Sequence, residues 1–406
     1  MTESITARLH QAAAAGEGEL DRVCEAVATE LVDAGLEPPF PIPTADFAAD
    51  VWLICADRYW RRRLLAEPTV EVAASCAHWL ATHADASIRP EIAEKWTMGY
   101  GFITRDTVDS TADLTAATGR IVEAYGATPE VCAFAALYHA AKLRANFWFD
   151  ELHTFLESSL LAVAAGDYRD QALVTALHAF AVLGRQEQDV ERGLALLAAA
   201  WDAAPRSRTV LDVCLHGLDV ARPFPGHGAQ LCARAEAAVL AVPDGHLFYY
   251  RLARGRRRTG EFDAARKAID TALRLLPAAG SRVSHEHLQE RYLAERDAIE
   301  AQRAAAAAWE ASQHARPRPD MQILDLSHRE AWRLVIPATI VSAALMMGIA
   351  LSTAVVVTSH HAWSVCDRAL VETALWILLL LAGAAVLAGV RLVSGRGQDD
   401  LTASRR

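Results

Sequence analysis

HLFYYRLARGRRRTGEFDAARKAIDTALRLLPAA, residues 246–279, reads as two helices joined by a tight turn. Ala253, Ala265 and Ala272 carry side chains small enough to let the two helices approach closely. Gly260 makes the turn, since glycine alone takes left-handed backbone without steric penalty. Pro277 stops the second helix, because proline offers no N–H to continue the hydrogen-bond ladder. The same punctuation recurs upstream. Pro205, Pro243 and Pro277 each close a helical pair, at intervals of 38 and 34 residues.

The order of these residues resembles the tetratricopeptide repeat. That family's 34-residue unit places a small residue in the first helix, then Gly-acid-aromatic at the turn, then Ala, Ala and Pro. Here those positions hold Ala253, Gly260-Glu261-Phe262, Ala265, Ala272 and Pro277. Two neighbouring units match less closely. Residues 174–207 keep Ala181, Ala200 and Pro205 but have Gly193 at an Ala position. Residues 212–245 keep Ala238 and Pro243, with a longer turn at Arg222-Pro223-Phe224-Pro225-Gly226-His227-Gly228. The resemblance covers about a quarter of the chain and implies an all-α, helical-repeat solenoid.

The resemblance also implies a site. In that family the first helices of the units line a concave groove that holds an extended peptide or a partner helix. Carried onto residues 246–279, the groove-facing positions are Leu247, Tyr250, Arg254, Arg257 and Arg258, with Arg251 beside them. The weaker units add His178, Arg185 and His216. Guanidinium forks match carboxylates bidentately, so the implied ligand is an acidic peptide segment or a C-terminal carboxylate. A solvated basic face and contact with anionic headgroups are the alternatives.

The remainder of the chain shows no strand alternation. Helix starts are marked by Pro68-Thr69-Val70-Glu71, Arg89-Pro90-Glu91 and Thr128-Pro129-Glu130. Helices are expected near 18–35, 44–66, 69–84, 107–125, 129–145 and 149–165, with 98–106 a loop containing Gly99 and Gly101. The expected divisions are an amino-terminal helical domain at 1–170, repeats at 171–280, a long capping helix at 281–314 and a stiff linker at 315–332. A two-span hairpin at 333–394 and a tail at 395–406 follow.

The hairpin is expected because residues 334–358 and 373–390 carry no charge. Spans of about 334–358 and 371–393 are long enough to cross a bilayer. Arginines flank both, with one basic residue, Arg368, between them. This pattern, with no signal-peptide core at the amino terminus, implies a two-span inner-membrane protein with both termini in the cytoplasm. Small residues Ala344, Gly348 and Ser352, and Ala385 and Gly389, recur every four positions and would suit packing of the spans, within one chain or between copies.

Composition excludes several classes. Net charge is −10, with no basic domain, so no nucleic-acid partner is indicated. Seven cysteines stand at scattered positions with no C-x-x-C pair. His285-Glu286-His287-Leu288-Gln289 lacks the final His of a zinc-protease motif, and Asp150 stands three residues before His153 without a visible mate. No catalytic residue, cofactor or metal site follows from the sequence. The leading reading is a membrane-anchored, non-enzymatic scaffold that recruits a protein partner. The alternatives are a two-span effector of a bacterial conflict or signalling system, and an enzyme with a site within 1–170.

Overall fold

A computed structural model describes residues 2–14, 17–204, 206–277 and 282–315, with isolated positions between 346 and 384. Residues 1–306 form one compact unit and 307–406 a second. The described residues of the first unit are helical, apart from turns and one bridge at Ile42–Ala84. The amino-terminal half contains α1 (Thr2–Ala13), α2 (Glu17–Asp33), α3 (Val51–Ala66), α4 (Val70–His83), α5 (Arg89–Ile103), α6 (Thr111–Tyr125), α7 (Pro129–Ala145), α8 (Phe149–Ser158) and α9 (Leu160–Ala164). A 3₁₀ turn at Gly166–Asp170 leads to the helical pairs.

The amino-terminal half is built around α7. Every residue from Val131 to Leu143 is buried, His139 and Lys142 included, so this helix has no exposed face along that stretch. Helices α4, α5, α6, α8 and α9 enclose it. The expected helix over 129–145 matches α7, but 98–106 is not a loop. It is largely the end of α5, because Gly101 lets α5 lie directly on α7. A Cβ at Gly101 would stand 2.5 Å from the Ala141 Cβ. Helix α3 begins at Val51, later than the expected 44. Asp50 caps it, accepting from the Trp52 and Leu53 amides, and also binds Thr44.

The carboxy-terminal part of the first unit stacks antiparallel pairs. These are α10 (Ala172–Gly184) with α11 (Val190–Asp202), α12 (Arg208–Val220) with α13 (His227–Ala241), and α14 (His246–Arg258) with α15 (Phe262–Arg274). Helix α16 (Arg282–Ala315) follows. Ala253, Ala265 and Ala272 are fully buried, and Gly260 takes φ +83° at the turn. Gly255 brings α14 against α13 so closely that an added Cβ would meet the Cys232 amide nitrogen at 2.8 Å. The described residues of the first unit are thus all-α, with stacked helical pairs in their carboxy-terminal part.

The inner-membrane placement is corrected. Among the described residues no helix is long and apolar enough to cross a membrane. The longest, α16, has 34 residues but carries Arg, Glu and Asp along its length, and a charge at mid-bilayer costs roughly 2.5–3.5 kcal/mol. The two apolar runs, and with them the hairpin, its small-residue stripes and any self-association through them, lie outside the described residues but for isolated positions. The membrane anchor, the cytoplasmic orientation and the homo-oligomer are therefore not carried forward.

Candidate functional site

The face shared by α7, α12, α14 and α16 collects charge. Asp219, near the end of α12, has a side chain 1% exposed. Its carboxylate accepts from Arg251, from Arg254 Nη1 at 2.6 Å and from Arg258 Nη2 at 3.3 Å. These three arginines share a face of α14 because they sit at i, i+3 and i+7. Glu295 of α16 accepts from Arg257 Nε at 2.5 Å and lies 3.7 Å from Arg254 Nε. At the end of α7, Arg144 Nη2 donates to Asp212 at 2.9 Å and lies 3.2 Å from His216 Nδ1. Arg291 stacks 4.7 Å over the Tyr250 ring and donates to its hydroxyl at 3.1 Å.

Cations exceed anions in this chamber. Arg144, Arg251, Arg254, Arg257 and Arg258, buried or half-buried, and the exposed Arg291 face Asp212, Asp219 and Glu295, six cations to three acids among the described residues. Arg291 has no ion-pair partner among them. The Nε–H groups of Arg144, Arg251 and Arg254 are buried without an acceptor. Unsatisfied donors also occur at Trp60, Trp96 and Arg256, but three of them gather on this face, where an added acceptor would satisfy them. The electrostatics agree. Burial pushes the Arg251 guanidinium down to about 9; Asp212 pulls upward against it, and Arg291, Arg254 and Arg144 press further down. Burial and then the charges of Arg254 and Arg257 push Arg258 down to about 10. Burial, reinforced by Arg251, Arg144, Arg291 and Arg254, holds His216 well below the usual histidine range.

An aromatic edge borders the chamber. Phe147 takes φ +58° although it is not glycine, at a cost of roughly 1–2 kcal/mol. The conformation closes α7: the Phe147 amide donates to the Arg144 carbonyl at 3.1 Å and the Trp148 amide to Leu143 at 3.0 Å. It also turns the Phe147 ring edge-on to His216 at 5.5 Å while leaving the residue 47% exposed. Phe180 packs on His216 from the other side at 5.0 Å.

Of the residues the sequence placed in a groove, Tyr250, Arg251, Arg254, Arg257, Arg258 and His216 come together here. Arg251 is buried and Arg257 is held by Glu295, so both act from behind the surface. Arg185 and His178 lie elsewhere. Arg185 pairs with Asp150 at 2.5 Å, and His178 contacts His153 and Glu157. The sequence reading did not single out Arg144, Phe147, Asp219, Arg291 or Glu295. Only the i, i+3, i+7 arginine row pointed toward a buried acid opposite.

Two other clusters stand in the same unit. His153 and Glu157 of α8 meet His178 of α10, whose ring burial and the neighbouring His153 push toward the neutral form. Near α3 and α5 a cavity of 510 Å³ is lined by Asp57, Arg61, Lys95 and Tyr100. There the Tyr100 hydroxyl donates to Asp57 at 3.0 Å, and burial pushes the Asp57 carboxyl up.

No family model matches the sequence, and no curated protein matches it either. The crystal structure of yeast Tom70 is similar at 13% identity, over 81% of this chain and 63% of that one, with a TM-score of 0.37. An overlap that weak carries no argument about fold or partner.

Proposed function

We propose that this chain is a helical-repeat binding protein whose basic chamber takes a carboxylate-bearing segment of a partner protein. The observation that carries the reading is the uncompensated charge together with the three orphaned Nε donors. A carboxylate entering beside Arg254 and Arg291 would lower the charge excess and give an acceptor to the Arg254 donors. Phe147, 47% exposed, borders the same face and offers ring surface to an apolar neighbour of that acid. The reading is one of recognition and not of turnover, since the polar groups of the chamber are mostly engaged with one another as a fixed frame.

The test uses the purified full chain and a set of displayed peptides rich in Asp and Glu, with Gln- and Asn-substituted counterparts. Selected acidic peptides should lose about tenfold or more in affinity when the acids become amides, a change of about 1.4 kcal/mol or more. They should lose as much with Arg291→Glu, and affinity should fall as salt is raised. Arg291 holds no internal carboxylate, so its reversal leaves the frame intact. Equal affinity for amide peptides, or binding indifferent to Arg291→Glu, would overturn the reading.

A further inference from the structure

We propose that His153, Glu157 and His178 form a site for a divalent transition metal of the zinc class. His153 and Glu157 are four residues apart on α8 and therefore share a face, and His178 reaches them from α10, which packs alongside. The contacts are mutual. His153 Nδ1 lies 3.2 Å from His178 Nε2, His153 Nε2 lies 3.4 Å from Glu157 Oε2, and His178 Nε2 lies 3.4 Å from Glu157 Oε1. The ligand atoms all lie within 4.8 Å of one another.

With metal–nitrogen bonds of about 2.0–2.1 Å, the ligand atoms of a tetrahedral site stand about 3.3–3.4 Å apart. One ligand atom from each of the three residues already lies within 4.8 Å of the other two, so side-chain rotation on α8 and α10 would close the set around an ion. Two imidazoles and one carboxylate are a donor set that zinc takes with a fourth position left to water. That position is open, because a pocket of 610 Å³ reaches His178 and Glu157 past Gly166, Arg169 and Thr175. The side chains are 12%, 39% and 19% exposed for His153, Glu157 and His178, so the site is sheltered but reachable. Arg192 of α11 donates to Glu157 Oε1. It would keep that oxygen as an outer support while Oε2 faces the metal. A metal there would tie the last long helix of the amino-terminal half to the first helical pair.

The experiment titrates the chelator-treated full chain with Co²⁺, read by its visible bands, and with Zn²⁺, read by the thermal unfolding midpoint. Tetrahedral Co²⁺ bands at one equivalent and a midpoint raised by Zn²⁺ are expected. His153→Gln and His178→Gln should each weaken binding by about 100-fold or more, while Asp150→Asn, on the same helix, leaves it unchanged. Circular dichroism establishes that the variants fold, and Glu157→Gln, with nearly the same shape, gives an independent loss. The absence of Co²⁺ bands, or binding that survives both histidine substitutions, would overturn the proposal.

Discussion

In the amino-terminal half Trp60, Trp79 and Trp96 follow one another through the core with ring centroids 6.0 and 6.4 Å apart, whereas a comparable depth in the repeat half is occupied by Asp219 and Arg251. The first half keeps most ion pairs at its surface, as with Arg8–Glu30 and Arg62–Glu25. Its fully buried cation, Lys142, is matched by Asp109 at 3.4 Å and by the Pro68 carbonyl at 2.5 Å. In the second half the buried Arg251 and the half-buried Arg254, Arg257 and Arg258 gather around two buried acids, Asp219 and Glu295. Rings in the first half stabilise by burial of apolar area. A matched buried charge contributes little net stability, and an excess subtracts from it. The contrast is that the first half fills its core with apolar rings, whereas the second places charge at a comparable depth, as the proposed carboxylate site requires.

The sharpest way to break the comparison is to remove the acid at the centre. Asp219→Ala strands the buried Arg251, and loss of one partner of a buried pair costs about 3–5 kcal/mol. The surface change Glu30→Ala in the first half should cost less than about 1 kcal/mol. Urea unfolding of both variants measures the difference, and equal losses would erase the distinction.

Packing gives the next effect. Gly255→Ala forces a Cβ to 2.8 Å from the Cys232 nitrogen and 2.9 Å from its Cα, backbone atoms that cannot swing aside. Overpacking of this kind costs roughly 1–3 kcal/mol, readable in the same unfolding experiment.

The smallest effect is in acid. The folded pKa of His216 is depressed, so its contribution to stability is present above the unfolded value of about 6.5 and is lost as pH falls below it. His216→Phe keeps the ring between Phe147 and Phe180 and removes the titration. The slope of unfolding free energy between pH 6.5 and 5 should flatten by up to about 1.4 kcal/mol per pH unit. An unchanged slope would show that the surrounding arginines do not govern this histidine.

Much of the fold was legible where local rules and packing agreed. Thr128-Pro129-Glu130 announced α7, and the alanines with Gly260 and Pro277 announced the pair α14–α15. Gly99 and Gly101 misled because a glycine can serve close packing as well as a loop, and only α7 lying against α5 decides which. Ser159 divides what read as one helix at 149–165, its hydroxyl accepting from the Leu161 amide to start α9 afresh. The site was half legible. The arginine row of α14 is written in about two adjacent turns, but Asp219 and Glu295 lie 32 and 38 residues away from Arg251 and Arg257. Their pairing, and the arrival of Arg144 from α7 and Phe147 from the turn after it, are properties of the stacked chain.

The central claim is that the excess charge of the repeat half awaits a carboxylate. Isothermal titration of one acidic peptide into the full chain and into Arg291→Glu, at two salt concentrations, tests it most directly. The account predicts binding that weakens with salt in the parent chain and falls about tenfold or more in the variant. Identical affinity in the two proteins, independent of salt, would contradict it.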